Sequence, residues 1–397
     1  MSGPRTFSKS FLQQEPLPDA AIEAAVAVMG SGRLHRYDAM ADDPGETALL
    51  EMEFARYQGS RYALACASCG YALYVAMLSA GVGPGDGVLI NGFTLAPVPG
   101  AVTNCGAQAI FVDTADDLTV DLNDLERKAA DASARFLLLS HMRGHIADMD
   151  AVTGICEENG LTLIEDCAHT LGARWKGRLS GSFGAVSCFS TQTYKHMNSG
   201  EGGLLVTNRD DIMARAILYS GSYMLYDRHL AGPPPEAFEG LSLTTPNYSG
   251  RMDNLRAATL RPQLARLDES CRRWNERYDV LAEGLAALPG VRLPERSPAE
   301  SFVGSSIQFQ LPGRTPAEME DIVDRCAARG VALKWFGADE PRGYTSRFDS
   351  WRYLGEPPEL PGTRNALATL LDMRVPLTFD LEDCRHIVDI IADVIAG

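Results

Sequence analysis

The sequence predicts an α/β protein whose main domain is a mostly parallel sheet with helices on both faces. Between residues 62 and 207, short apolar runs of strand length alternate with segments of helical periodicity, and this alternation is typical of parallel sheets. The chain has 397 residues, 45% of them hydrophobic, which is enough to bury a large core in two domains. Open α/β sheets bind ligands beyond the carboxyl ends of their strands, so we expect the functional site there.

The elements follow in order along the chain. Residues 1–45 form an N-terminal arm with a helix at 19–29, residues 46–265 a large domain, and residues 266–397 a smaller C-terminal α+β domain. In the large domain the pattern predicts a seven-stranded sheet with strands at 62–66, 88–91, 109–113, 136–140, 161–164, 185–189 and 204–206. Helices are expected at 46–57, 72–80, 96–104, 121–130, 152–159 and 212–218, and over 254–285 with a kink or restart at Pro262. The C-terminal domain is expected to contain strands at 305–311 and 331–335 and helices at 316–328 and 381–395.

Charge and composition exclude several classes of protein. Lys and Arg number 36 against 52 Asp and Glu, a net charge of −16, which argues against a nucleic-acid partner. The N-terminus lacks the apolar region of a signal peptide, and no run of about 20 apolar residues could span a membrane. We therefore expect a soluble, cytoplasmic protein without a membrane partner.

The cysteine and histidine spacing does not predict a metal site. Nine cysteines are scattered along the chain, and buried thiols in a reducing compartment are the expected state. Cys66 and Cys69 form a C-x-x-C pair, but a zinc site needs a second pair or nearby histidines. The spacing of His141 and His145 would allow both to bind one metal ion. Nothing else in the sequence completes such a site, so capping and packing roles are favoured.

One lysine and one carboxylate occupy positions suited to catalysis. Lys195 follows the strand at 185–189 and precedes the glycine-rich turn at 200–203. Burial between two core strands would lower the pKa of its amine, as a nucleophile for a carbonyl requires. A surface lysine in a loop is the alternative interpretation of the spacing alone. Asp166 comes directly after the strand at 161–164. Such a pair suits pyridoxal phosphate (PLP), because the lysine forms the Schiff base and the acid keeps the pyridine nitrogen protonated.

A phosphate cradle is predicted where the strand at 62–66 turns into the next helix. The turn contains Ser68, Cys69, Gly70 and Tyr71. A helix N-terminus offers free backbone N–H groups and the positive end of the helix dipole to an anion. An ordinary strand-to-helix turn is the alternative interpretation.

These motifs resemble the DegT/DnrJ/StrS aminotransferases. The resemblance rests on Asp166-Cys-Ala-His169, Phe189-Ser190, Lys195 and Gly200-Glu-Gly-Gly203, which occur in the family's order, and extends from about residue 46 to 267. It implies a fold-type I PLP enzyme that moves an amino group from glutamate or glutamine to a keto-sugar, often nucleotide-linked. It also implies a homodimer with shared active sites.

The resemblance assigns further roles. His169 would contact the ring-side oxygen of the cofactor, and Ser190 and the cradle would hold its phosphate, with Cys69 and Tyr71 replacing the usual Ser and Thr. Leu95 occupies the place of the ring-stacking aromatic residue, with Phe93 as the alternative. An Asn of the partner subunit, here Asn247 or Ser249, would reach the phosphate, while Arg251 is either a surface charge or a ligand for a substrate anion.

Alternatives remain open at this stage. Gln192 and His196 replace common family residues beside Lys195 and could tune substrate choice, and Trp335 or Arg342 could line the substrate pocket. The same cofactor would also serve a dehydratase, an oxidase or a decarboxylase. A catalytically silent PLP-binding regulator is a further possibility, although pure binding needs no Schiff-base lysine. Relatives with a histidine in place of the lysine are dehydratases, so Lys195 favours transamination.

Overall fold

The computed structural model describes residues 5–40, 42–131, 134–341, 344 and 346–397; Arg342 lies outside this set. The strands are β1 (Tyr62–Cys66), β2 (Gly87–Asn91), β3 (Gln108–Val112), β4 (Ala134–Ser140), β5 (Thr162–Asp166), β6 (Arg174–Trp175), β7 (Arg178–Leu179), β8 (Val186–Ser190), β9 (Gly203–Thr207), β10 (Glu300–Ser301), β11 (Ser306–Gln310), β12 (Lys334–Trp335) and β13 (Leu370–Arg374).

The helices flank these strands. They are α1 (Asp19–Ser31), α2 (Glu46–Gln58), α3 (Cys69–Ala80), α4 (Pro97–Asn104), α5 (Leu122–Ala129), α6 (Met149–Asn159), α7 (Asp210–Ser220), α8 (Asn254–Ala265), α9 (Leu267–Ala286), α10 (Pro316–Ala328), α11 (Pro361–Ala368) and α12 (Leu381–Ala396). Short 3-10 turns lie at Met142–Gly144, Tyr226–Arg228, Pro235–Phe238, Phe348–Ser350 and Arg352–Leu354. Among the described residues, no helix is both long enough and apolar enough to cross a membrane.

The main sheet has seven strands in the order β1–β9–β8–β5–β4–β2–β3. β9 is antiparallel to both of its neighbours, and the other pairs are parallel. The carboxyl ends of β8, β5, β4 and β2 therefore meet at one edge, together with the start of β9. This arrangement confirms the predicted α/β class and the mostly parallel seven-stranded sheet.

The sheet is buried on both faces, which explains its nearly continuous apolar strands. In β4, Leu137 and Leu139 belong to one core cluster, whereas Phe136 and Leu138 belong to another. Successive side chains of a strand point to opposite faces, and parallel sheets covered by helices bury both of them. These strands therefore do not alternate between apolar and polar residues, as the strands of a sheet with one exposed face do.

The C-terminal part forms a separate antiparallel sheet in the order β11–β13–β12. Its core contains residues of α9, α10 and α12, and also Phe7 and Phe11 from the N-terminal segment. Phe93 of the main sheet edge packs edge-to-face on Phe336, with ring centroids 5.0 Å apart. A hydrophobic contact thus joins the two parts beside the carboxyl ends of the strands. The domain limits at 45/46 and 265/266 remain predictions.

Three local predictions were wrong, and two elements were missed. The helix does not restart at Pro262, which lies inside α8, a helix that packs on α1 and α2; α8 ends at Ala265, and α9 begins at Leu267. The strand expected at 331–335 is reduced to Lys334–Trp335. α3 begins at Cys69 rather than at Ala72, because the Ser68 side chain caps it by accepting the Tyr71 N–H. The sequence pattern also did not indicate α11 or β13.

Candidate active site

Asp166 is the last residue of β5, and its buried carboxylate is held in place by two donors. The Ser140 hydroxyl donates to Oδ2 at 2.8 Å, and the backbone N–H of Ala168 donates to Oδ1 at 3.1 Å. Ser140 is itself fixed by Asn91, whose side-chain amide binds both the N–H and the carbonyl of Ser140. Residues at the ends of three adjacent strands, β2, β4 and β5, therefore orient this carboxylate.

Glu165, the neighbouring acid, points to the opposite face of the sheet and has a structural role. Its carboxylate accepts the backbone N–H groups of Gly181, Phe183 and Gly184, at 3.1, 2.8 and 2.7 Å. His141 Nε2 lies 3.2 Å from the same carboxylate. The alternation of side chains along a strand separates the two acids, so only Asp166 faces the site.

Lys195 lies in the segment between β8 and β9, and its amine is within hydrogen-bonding distance of His169 Nε2. The other ring nitrogen of His169, Nδ1, accepts the backbone N–H of Arg143 at 3.1 Å. A neutral imidazole that accepts at Nδ1 carries its proton on Nε2. His169 therefore donates to the lone pair of a neutral Lys195 amine.

The pKa values agree with that assignment. Burial, followed by the positive charge of Arg143, lowers the pKa of Lys195 to about 7, although Asp166 opposes the shift. Burial and the nearby Lys195 and Arg143 hold the pKa of His169 well below its usual value. Both groups are thus available in their neutral forms near physiological pH.

The turn between β1 and α3 has the features that the predicted anion cradle requires. Ser68 is the N-cap of α3 and accepts the Tyr71 N–H at 3.1 Å. The first-turn N–H groups of Cys69 and Gly70 have no recorded partner among the described residues, as expected at an open helix N-terminus. β9 begins against this turn, where a Cβ on Gly203 would lie 2.6 Å from Ser68 and Cys69 backbone atoms. Only glycine permits this close approach.

Ser190, the last residue of β8, lies at the same edge. It is paired with Gly203, and Gly203 is paired with Cys66 on the other side. This register brings the ends of β8 and β1 to the cradle. The Ser190 hydroxyl accepts the Gln192 N–H at 3.3 Å, and its remaining hydrogen-bonding capacity is available to a ligand.

Three candidate residues have environments that clarify their roles. Phe93 is buried against Phe336 in the hydrophobic contact between the two sheets, whereas Leu95 is half-buried, which favours Leu95 as the residue beside a bound ring. Tyr71 donates its hydroxyl to the Tyr219 carbonyl at 2.9 Å.

Asn247 and Ser249 are exposed, and the Asn247 side chain accepts the Ser249 N–H. Within the described chain neither residue has a recorded contact with Lys195 or Asp166. Arg251 donates to the carbonyls of Ser220 and Gly221 at the end of α7. Of the two interpretations of Arg251, a substrate ligand is therefore disfavoured.

The remaining histidines have packing roles. His145 binds the Gln308 side chain at 2.9 Å, and His196 binds the Leu171 carbonyl and Ser305, at 2.7 and 2.9 Å. His196 is buried, but it lines a cavity together with Lys195, and its influence on substrate choice stays a prediction. His141, Glu165 and Cys167 form a buried cluster with ligand atoms within 4.8 Å of one another, but N–H donors already occupy the carboxylate. All nine cysteines are buried and unbridged, as expected.

The sequence pattern did not indicate the charged side chains that β13 contributes near Lys195. Asp372 forms an ion pair with Arg143 at 2.7 Å, and Tyr344 contacts both side chains. Arg374 lies over the ring of Tyr194, beside Lys195, with its Cζ 3.7 Å from the ring centroid. Trp335 and Arg374 line one cavity, and the role of Trp335 in a substrate pocket stays a prediction.

Comparison with known proteins identifies the family. Residues 21–392 match the profile of the DegT/DnrJ/EryC1/StrS aminotransferase family. The chain belongs to this family. It is accordingly an aminotransferase, and membership of the DegT/DnrJ/EryC1/StrS family implies pyridoxal phosphate as the cofactor.

Individual relatives agree with this assignment. The 3-amino-5-hydroxybenzoate synthase of Amycolatopsis mediterranei (strain S699) is 33% identical over 319 residues, which are 79% of this chain and 78% of that protein. The dTDP-3-amino-3,4,6-trideoxy-alpha-D-glucose transaminase of Streptomyces venezuelae is 34% identical over 256 residues, 63% of this chain and 62% of the relative. A crystal structure of 3-amino-5-hydroxybenzoic acid synthase superposes with a TM-score of 0.83 at 27% identity, covering 98% of this chain and all of that one.

Proposed function

We propose that this protein transfers an amino group from glutamate or glutamine to a keto-sugar or a related cyclic ketone, with pyridoxal phosphate bound at the Lys195 edge of the sheet. The observation that carries the proposal is the pairing of the Lys195 amine with a neutral His169, next to the fixed carboxylate of Asp166. One relative is named as the transaminase of an amino sugar. Another is named as the synthase of 3-amino-5-hydroxybenzoate, an aminated ring acid.

The residues present fit the cofactor. The open N-terminus of α3, together with Ser68 and Ser190, suits its phosphate, since backbone N–H groups and hydroxyls there have free capacity. Asp166 suits the ring nitrogen, because a fixed carboxylate favours the protonated pyridine. Leu95 suits one face of the ring. When bound, pyridoxal phosphate supplies an electron sink for the carbon that loses or gains a proton.

Lys195 performs the proton transfer at the substrate carbon. The pKa of its amine is about 7, so the neutral form is accessible near physiological pH, and a base poised near the working pH is the most effective. His169 orients this amine by donating from Nε2, and Arg143 fixes the tautomer of His169 through its backbone N–H. Ser140 and Ala168 hold the two carboxylate oxygens of Asp166 in place.

A homodimer is the proposed assembly. The exposed face of α1 carries Ile22, Val26 and Met29, which are 47%, 57% and 55% exposed and share one side of the helix. Large apolar side chains are also exposed in the segment from 221 to 248, including Tyr223, Met224 and Leu243. Exposed groups of large apolar side chains favour an interface, and a partner that covers the segment from 221 to 248 would approach Asn247 and Ser249. Sedimentation equilibrium would refute the assembly by returning a monomer mass of about 43 kDa.

The reaction is tested by a half-reaction with the cofactor-loaded enzyme. We expect glutamate to convert the yellow enzyme to the pyridoxamine form, and a ketone panel with labelled glutamate to yield a labelled amine. Lys195→Ala is expected to abolish both results. The control is Lys176→Ala, which removes a lysine that pairs with Asp150 on the surface, and it should react normally. Release of ammonia or of carbon dioxide without amine transfer would contradict the proposal.

A further inference from the structure

A cavity of about 210 Å³ lies apart from the site at Lys195. It is bounded by the loop after β3, by the turn that leads into α6, and by the segment from 295 to 300. It shares no lining residue with the cavities of about 120 and 20 Å³ that Lys195 lines. Pockets for drug-sized ligands have volumes of about 300 Å³ or more, so this cavity suits a smaller molecule.

His145 forms a buried part of the cavity wall, and only 4% of it is exposed. Its Nε2 lies 2.9 Å from Gln308 Oε1. The amide nitrogen of Gln308 donates to Ser306 and Asp372, which turns the amide oxygen toward the histidine. Nε2 therefore carries the proton of the imidazole, and Nδ1 keeps a lone pair.

This lone pair is open to the cavity. Within the described chain, Nδ1 of His145 has no recorded partner, and it is not one of the enclosed unpartnered atoms, as Nδ1 of His141 is. Burial and the positive charge of Arg296 hold the pKa of His145 well below its usual value. The ring thus stays neutral and can accept a hydrogen bond from a ligand in the cavity.

The more exposed part of the wall is acidic. It contains the half-buried Asp117 and the exposed Asp148 and Glu295. Asp117 and Asp148 each use one carboxylate oxygen to accept nearby N–H groups, and among the described residues the other oxygen has no recorded partner. Glu300, a fourth acid of the wall, pairs with Arg296 at 2.8 Å. No described residue that lines the cavity is a lysine or an arginine, so the wall attracts a cation.

The spacing of these groups favours an organic cation over a metal ion. Among the described residues, His145 belongs to no set of three candidate ligand atoms that lie within 4.8 Å of one another. A molecule that carries its charge and a hydrogen-bond donor on separate atoms can reach both parts of the wall. Ile146 and Trp175, which are buried, add apolar surface for its carbon skeleton.

We infer that this cavity binds a small amino alcohol, whose hydroxyl donates to His145 Nδ1 and whose ammonium group lies among the carboxylates of Asp117, Asp148 and Glu295. Hydrogen bonds between an ammonium group and a carboxylate are stronger than those between neutral groups, and the buried imidazole selects for the hydroxyl. The site does not depend on the proposed transfer reaction, because it contains none of the groups around Lys195.

Titration calorimetry of the cofactor-loaded enzyme tests the site with three probes of equal size. N,N-dimethylethanolamine carries both the ammonium group and the hydroxyl. 3-Methyl-1-butanol has the same shape without the charge, and N,N-dimethylpropylamine has the charge without the hydroxyl. Tertiary amines form no imine, so neither amine reacts at the Lys195 edge. We expect saturable binding of the amino alcohol and binding at least about 10-fold weaker for each analogue.

Two variants locate the binding. Glu295→Gln should weaken the amino alcohol by about threefold at low salt, as loss of an exposed charge does, and leave the neutral alcohol unchanged. His145→Phe keeps a ring but removes Nδ1, so the amino alcohol should then bind no better than N,N-dimethylpropylamine. The control is Glu283→Gln, which makes the same charge change at an exposed position of α9. If His145→Phe does not fold, Glu295→Gln and the three probes still decide the question.

Several results would overturn the inference. The wild type could bind the amino alcohol without saturation, or no more tightly than 3-methyl-1-butanol. Binding that Glu295→Gln leaves unchanged would lie elsewhere on the protein. Magnesium chloride, titrated alone, could bind with an affinity that Glu295→Gln reduces and displace the amino alcohol, which would make the cavity a metal site. An enzyme that transfers no amino group would refute the proposed function and leave this site standing.

Discussion

At the scale of single residues, the neutral amine of Lys195 decides when the site is reactive. Its pKa of about 7 lies below that of an ordinary lysine, and only the neutral amine attacks a carbonyl. We therefore expect covalent capture of pyridoxal phosphate by the cofactor-free protein to accelerate as pH rises through about 7, and then to level off.

Stopped-flow absorbance between pH 5.5 and 10 measures this capture, with a free alkyl amine as the reference for the cofactor's own titration. Lys195→Ala should show no specific capture. A rate that still rises steeply between pH 9 and 10 would mean that the lysine is not desolvated, and that His169 does not stabilise its neutral form.

The placement of Lys195, Asp166 and the β1–α3 turn at one edge of the sheet could be predicted from the sequence, because each comes at or after the end of a recognisable strand. Arg143, Asp372 and Arg374 could not be found in the same way. Arg143 and its partner Asp372 are 229 positions apart in the sequence, and they meet only because two sheets pack together. A charge pair made by tertiary packing leaves no local pattern in the sequence.

At the scale of elements, the approach of β9 to the β1–α3 turn shapes the cradle. A Cβ at Gly203 would lie 2.6 Å from backbone atoms of Ser68 and Cys69, and backbone atoms cannot move aside as a flexible side chain can. We expect Gly203→Ala to weaken cofactor binding by about 10-fold or more and to lower the free energy of unfolding by about 1–3 kcal/mol. Equilibrium dialysis and urea unfolding measure the two effects.

Gly154→Ala is the matched control. Gly154 lies in the interior of α6, with open space around the position of a Cβ, so alanine there should leave cofactor binding unchanged and stabilise the protein by about 0.5–1 kcal/mol. Equal cofactor affinity for the Gly203 variant and the wild type would show that the cradle does not depend on this close approach.

The secondary-structure elements also differ in how well the sequence predicts them. The strands of the main sheet were recognised because they are apolar throughout and bounded by helices. β13 was missed because two charged residues interrupt a five-residue strand, and their burial depends on partners in other elements. The predicted restart at Pro262 was wrong, because α1 and α2 pack on α8 and stabilise the helix despite the backbone hydrogen bond that proline cannot donate.

At the scale of the whole molecule, buried polar groups tie distant segments together. Arg36 of the N-terminal arm forms two hydrogen bonds with Glu51 of α2, at 2.6 and 3.0 Å. Glu51 also accepts the Ala65 N–H of β1 and lies 3.4 Å from His229. Removing one member would leave a buried charge unpaired, so the arm, the main sheet and the segment after α7 depend on one another.

Burial of neutral histidines makes the whole fold sensitive to acid. Burial lowers the pKa of His145, His169, His196 and His229 below the ordinary value of 6.5. When pH falls below 6.5, the unfolded chain takes up protons on these side chains, while the folded protein does not. The unfolded state then binds more protons, so the free energy of unfolding must decrease as pH decreases.

We expect the free energy of unfolding to fall by up to about 1.4 kcal/mol per pH unit for each such histidine below pH 6.5. Urea unfolding of the cofactor-free protein at pH 7.5, 6.5 and 5.5 measures the slope. His229→Gln should reduce the slope, because one of the four groups is removed. His35→Gln, at an exposed position, should leave it unchanged. A stability that is flat between pH 7.5 and 5.5 would show that these histidines accept protons inside the fold, and His169 would then no longer hold Lys195 neutral.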